Sequence, residues 1–111
     1  MPETIKSASI SRLNDLLRTQ AIGGRVVATL GVQNLSHGTR GKVVEAIRVF
    51  DKFDEGDDPY KEHDFGAVEI EGDKFYFKID YYVPSLKFGS EDPSDPEKTT
   101  RVMTTMRADE Y

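Results

Sequence analysis

The residues of this chain best suited to chemistry gather between Asp58 and Tyr82, in the stretch DPYKEHDFGAVEIEGDKFYFKIDYY. Glu62, His63 and Asp64 set an imidazole between two carboxylates, and such a histidine can titrate near neutrality and relay a proton. Neighbours in a strand point to opposite faces, so the triplet alone makes no constellation. The pattern that could act is cross-strand. His63 would lie opposite Tyr82, with Asp80 one pair along on the same outer face and Glu62 near the open end of the hairpin. Such a set would bind a polar ligand or do acid–base work if it converged in a concave site. More plainly, His63 ends a strand and hydrogen-bonds a nearby carboxylate or tyrosine.

A second set of exposed groups, Tyr76, Lys78 and Tyr82, falls on that outer face. Tyrosines on a sheet surface suit a protein interface, because they bury large area at low entropic cost and keep a hydrogen-bonding tip. They can also stack nucleic-acid bases. Charge opposes the latter, since 20 Asp and Glu against 15 Lys and Arg leave a net charge of −5, which repels phosphates. The acids concentrate in Asp51 to Asp64, including Asp57 and Asp58, and in Glu91 to Glu97. They bracket the hairpin and would draw a basic protein partner in a salt-sensitive way.

Other chemistries find little support. The chain has no Cys, which removes thiolate catalysis and disulfides. Asp51, Gly56 and Glu62 occupy positions one, six and twelve of a calcium loop, but Phe53 stands where an oxygen ligand is needed and a strand follows, so no metal is expected. His37 and His63 alone do not make a zinc site. Gly23-Gly24-Arg25 lacks the spacing of a phosphate loop, and Ser90 has no nucleophile elbow. No cofactor is expected.

The elements that must position these residues follow from periodicity. Phe75, Phe77, Ile79, Tyr81 and Val83 alternate with Lys74, Tyr76, Lys78, Asp80 and Tyr82, a strand with one buried face. A type II′ turn at Gly72-Asp73 would pair Glu71 with Lys74 and Ile70 with Phe75, and a slip setting Ile70 against Asp73 is expected to be resisted. Gly66 marks a close backbone approach or a bulge. Ile10, Leu13, Leu16 and Leu17 predict a helix over about Ser9–Gln20, capped by Ser7 or Ser9. Arg25 to Val32 predicts a well-covered strand. Val43, Ala46, Ile47 and Phe50 predict a helix over about Thr39–Lys52, capped by Ser36 or Thr39. Asp95-Pro96-Glu97 is a strong helix start, so residues 96–109 are read as a helix in preference to a strand.

At 111 residues, with 37% hydrophobic and 32% charged content, the chain has room for one domain and one core, with residues 1–8 frayed. The expected class is α+β: a small antiparallel sheet with a long β-hairpin over about 64–83, and two or three helices packed on it. MPETIKSASIS has no apolar signal core, and no run is long enough to span a membrane. A cytoplasmic protein without membrane contact is expected.

GGRVVATLGV, DPYKEHDFGAVEIEGDKFYFKIDYY, FGSEDPSDP and TTRVMTTMRADEY together resemble a family of small proteins, a domain of unknown function found mostly in alphaproteobacterial chromosomes and plasmids. The resemblance runs from about Leu13 to Tyr111, with EHDFG, KIDYY and the GSxDPxDP pattern its most specific parts. Phe77 stands where the family's F-W-K-I-D-Y-Y segment has Trp, and Met103 where Leu is expected; both swaps stay apolar. The resemblance implies a bacterial protein of accessory or mobile DNA and brings no reaction with it. The expectation is therefore a non-enzymatic binding or regulatory protein, such as an accessory or inhibitor protein of a mobile genetic element acting on a protein partner. The alternatives are a small enzyme or ligand binder using His63, Tyr82 and Asp80, and a single-stranded nucleic-acid binder.

Overall fold

In a computed structural model describing residues 5–111, three helices lie against one face of a four-stranded sheet. The elements are α1 (Ile5–Gln20), β1 (Gly24–Ala28), α2 (Leu30–Gln33), α3 (His37–Arg48), β2 (Phe65–Ile70), β3 (Asp73–Tyr82) and β4 (Thr100–Arg107), closed by a 3₁₀ turn at Ala108–Glu110. Strand order is β1-β4-β3-β2. The α+β class holds. The sheet is mixed, antiparallel from β2 through β3 to β4 and parallel where β1 joins β4.

Alternation in β3 works as the pattern requires. Phe75, Phe77 and Ile79 are buried on the helix side, where they meet Met103 of β4 and Leu17, Val32, Val43 and Ile47 of the three helices. Ser36 caps α3, its hydroxyl accepting from Thr39 N–H at 3.3 Å. α1 begins at Ile5, earlier than the predicted caps Ser7 and Ser9, so residues 5–8 belong to the helix. The fraying expected of residues 1–4 falls outside the described residues.

The hairpin turn corrects the predicted register. Its central residues are Glu71 and Gly72, both with positive φ (56° and 86°), which makes the turn type I′ and matches the twist of the strands. Ile70 therefore pairs with Asp73, Val68 with Phe75 and Gly66 with Phe77. Each partner changes by two residues, so every side chain keeps its face and the slip carries no penalty of burial. Glu71 tolerates the left-handed position because its carboxylate accepts from Lys42 Nζ at 3.0 Å and Thr39 Oγ1 at 2.8 Å, fastening the hairpin tip to α3.

Two further elements depart from the sequence reading. Residues 100–107 are a strand, not a helix: Asp95 and Pro96 make only a local turn, with Asp95 Oδ1 accepting from Glu97 N–H at 2.9 Å. The alternation of Arg101, Met103 and Thr105, all buried, then places β4 at the centre of the sheet. Conversely, β1 is an exposed edge strand where a covered one was expected, and the chain turns at Thr29 into the short α2.

Gly66 is needed for close approach, since a Cβ there would sit 2.8 Å from Phe50 Cε2 and closer still to the Phe77 ring. Gly66→Ala is expected to cost about 1–3 kcal/mol through overpacking, read as a lower urea midpoint with an unchanged m value.

Candidate functional site

His63 does not reach the outer face. Its backbone is left-handed (φ 60°), and its N–H donates to Asp58 Oδ1 at 3.1 Å. Regular pairing of β2 therefore begins only at Phe65. The ring turns to the helix side, stacked on Phe53 at 4.0 Å and 5°. Nδ1 lies 2.9 and 3.1 Å from the two carboxylate oxygens of Asp15, and Nε2 lies 3.9 Å from Asp58 Oδ2. Both ring nitrogens thus face carboxylates. The opening beside the ring is lined by Phe53, Asp54, Glu55, Asp58 and Lys61, with no hydroxyl for the imidazole to activate. Tyr82 pairs with Thr100 and bridges Gly89. It is therefore not the neighbour of His63.

Beneath this pair lies a buried polar network. Asn14 is fully buried on α1. Its Nδ2 donates to Glu62 O at 2.9 Å and to the Tyr81 hydroxyl at 2.8 Å, and its Oδ1 accepts from Arg101 Nε at 2.8 Å. Tyr81 in turn donates to Glu62 Oε1 at 3.1 Å. Burial pushes the Tyr81 hydroxyl far above its ordinary pKa, reinforced by the charges of Asp64 and Glu62, so it acts as a donor and not as a base. Arg101 also donates from Nη2 to the Pro93 carbonyl and lays its guanidinium over the Tyr81 ring at 5.3 Å. Burial lowers its pKa, opposed by Tyr81 and Glu62.

One turn further along α1, Arg18 donates from Nη1 to the carbonyls of Ile47, Arg48 and Phe50 at 3.3, 3.3 and 2.8 Å. It thereby places a cation at the C-terminal end of α3, where unpaired carbonyls and the helix dipole favour one. Nη2 donates to Asp15 Oδ1 at 2.8 Å, and the guanidinium faces the rings of Phe53 and Phe77 at 5.2 and 5.8 Å.

The outer face holds the remaining predicted residues. Tyr76 packs against Phe65 and Tyr111, with ring centroids at 5.1 and 5.6 Å, and is no open platform. Lys78 and Asp80 form an ion pair at 3.1 Å, and its hydrogen bond holds the ammonium above its usual pKa. With Tyr82, Thr104 and Tyr111 they line an opening of about 370 Å³. Lys78, Asp80 and Tyr82 are thus brought together, and His63 and Glu62 are on the other side of the sheet. Asp58 is buried, spending Oδ1 on the N–H groups of Glu62 and His63, while Asp57 is exposed. Asp64, half-buried near Glu62, Asp58 and Asp80, has its pKa raised to about 6, mainly by burial and then by those charges. Among the described residues no cluster of His, Asp and Glu is arranged to hold a metal ion.

Asn14, Asp15, Arg18, Tyr81 and Arg101 escaped sequence reasoning. A signal did exist on α1, where Asn14 and Arg18 sit four residues apart on the line of Ile10 and Leu17, so that polar groups interrupt the apolar stripe. For Arg101 the signal appears only once residues 100–107 are read as a strand.

Fold and site together define a small α+β sheet protein whose reactive side chains are cross-braced into one polar framework. The chain belongs to a family described as a protein of unknown function (DUF3768), which matches residues 28–110. The match starts later than the resemblance from Leu13, leaving α1 and most of β1 before it. No curated protein and no solved structure matches the chain. No helix among the described residues is long and apolar enough to cross a membrane.

Two outcomes are expected. Arg18→Met leaves the end of α3 without its donor and should cost roughly 3 kcal/mol in chemical denaturation, whereas Arg48→Ala, which breaks an exposed pair, should leave the denaturation midpoint almost unchanged. For Asp64, the folded value of about 6 exceeds the ordinary 3.8. The folded state therefore holds a proton that the unfolded state releases, and stability falls as pH rises through that window. Asp64→Asn should accordingly exceed wild type in urea midpoint at pH 7–8, and the difference should vanish below about pH 4.

Proposed function

We propose that this protein is a non-enzymatic binding or regulatory module acting on a protein partner. The supporting observation is a set of large exposed apolar side chains: Val26 and Val44 border one opening on the helix side of the sheet, and Ile22, Val27, Leu30 and Val49 are exposed on or beside β1 and α3. Exposed apolar groups that gather around an opening mark interaction sites. His63, Glu62, Tyr81 and Arg101, by contrast, are engaged with groups of the protein itself.

The exposed acids Asp51, Asp54, Glu55 and Asp57 would add electrostatic steering toward a basic region of the partner. An accessory or inhibitory role in a mobile element rests on the family resemblance. A cytoplasmic setting goes with that role. The ligand-binding alternative has less support, because His63 stands apart from Asp80 and Tyr82.

Affinity capture from the native host at low and moderate salt, followed by reconstitution with the purified candidate, tests this function. One protein that is retained and rebinds the purified chain is expected, with weaker retention at moderate salt. Absence of any rebinding protein at either salt defeats the proposal.

A further inference from the structure

We propose that the open edge of β1 accepts an extended segment of the partner as a fifth strand, and that this segment alternates apolar residues with a carboxylate set against Arg25. This rests on the protein-binding function above and gives it a surface and a chemistry.

Among the described residues β1 is terminal in the sheet and has β4 as its sole strand neighbour. Thr29 N–H donates to Thr105 O at 3.1 Å. Because backbone groups alternate sides along a strand, Val27 and Arg25 also face β4, and Gly24, Val26 and Ala28 face outward. The Gln33 side chain confirms the direction at one point: its amide donates to Ala28 O at 2.7 Å, supplying the bond that a neighbouring strand would make. Val26 and Ala28 N–H remain directed at the open edge. Edges of this kind are normally blunted by Lys, Pro or a bulge, yet Gly24–Ala28 reads GRVVA.

The two faces of the strand specify the alternation. On the helix side Val26, 49% exposed, lines a cavity of about 300 Å³ with Leu17, Ala21, Val44, Ile47 and Met103, so a side chain beside Val26 is required to be apolar. On the other side Arg25 and Val27 project. The Arg25 side chain makes no hydrogen bond or ion pair among the described residues, and β1 carries no carboxylate to neutralise it. A second copy paired antiparallel about Val26 would set the two Arg25 side chains diagonally across the dyad, like charge near like charge. A partner segment bearing Glu or Asp resolves both features at once, in the manner of strand addition elsewhere.

The test uses the full ¹⁵N-labelled chain and a blocked hexapeptide of alternating valine and glutamate, compared with its valine–lysine counterpart. Saturable binding that slows amide exchange at Val26 and Ala28 is expected, with the lysine peptide at least about tenfold weaker. Arg25→Glu, at an exposed position, should reverse that preference. Ala28→Pro removes only an outward N–H and should abolish binding while the amide signals of β3 stay in place. Equal binding of both peptides, protection elsewhere, or no saturation by low-millimolar peptide overturns the proposal. A dimer in sedimentation that Ala28→Pro converts to monomer also overturns it, by placing a second copy on the edge. A captured host protein that binds Ala28→Pro as tightly as wild type removes the edge and leaves the binding function standing. Failure to capture any protein removes that function, and the peptide titration still decides the edge.

Discussion

Arg101 and Asn14 meet where α1, the sheet and two long connections converge, and their contact is the constraint on which that arrangement depends. Arg101 is a buried cation on the central strand with no carboxylate directly on its guanidinium among the described residues; its donors end on an amide oxygen and a backbone carbonyl. Leaving such a charge without partners costs several kcal/mol, so the groups that satisfy it are held in place by that same amount. Asn14 fixes α1 over the sheet, Pro93 fixes the long connection between β3 and β4, and Tyr81 and Glu62 bring in the acidic loop. Five segments, α1, the acidic loop, β3, the connection after it and β4, thereby become one unit. A purely apolar core would not specify their mutual register so narrowly.

Arg18 extends the same logic along α1. At four residues from Asn14 it occupies the same face. There it serves the end of α3, two phenylalanine rings and Asp15, which in turn holds His63. The imidazole that stood out in the sequence is thus the outermost member of a chain of contacts that begins at the core. α1 precedes the residues matched by the family, yet Arg101 Nε, the Tyr81 hydroxyl and the Glu62 carbonyl all end on it. In this chain the matched portion therefore satisfies its buried Arg101 through Asn14, a residue that lies before it.

What could be read beforehand was what local periodicity encodes. Phe75, Phe77 and Ile79 sorted correctly because a strand's period of two needs no knowledge of its neighbours, and the faces survived an error in the turn because the pairing shifted by two residues, an even number. The tail failed for the opposite reason. Asp95-Pro96 is a sound local helix signal, overridden because β4 fills the gap between β1 and β3 and buries Arg101, Met103 and Thr105 there. β1 failed likewise, since valines in sequence do not reveal which strand lies at an edge. The candidate site was the least legible part. A positive φ at His63 and an Asp15 partner 48 residues away are products of tertiary packing, and only the polar breaks in the stripe of α1 announced them.

β1 has one strand neighbour and half of its backbone groups outward, yet it is clamped at both ends. At its start, a Cβ on Gly24 would lie 2.6 Å from Arg101 O and 3.0 Å from Leu17 Cδ2, so the strand sits tightly against β4 and α1. Past its end, the Glu110 carboxylate accepts from Thr29 Oγ1 at 2.7 Å, Gly31 N–H at 2.9 Å and Arg107 N–H at 2.8 Å. Those bonds, chiefly the one from Thr29, hold its pKa below the usual range. The turn after β4 is thereby locked to the turn after β1. A segment added to this edge would meet a backbone that is already ordered, and pre-organisation of that kind reduces the entropic cost of association. The edge is thus held by close packing at Gly24 and by the Glu110 carboxylate past Ala28, and its outward backbone groups stay in place for a partner.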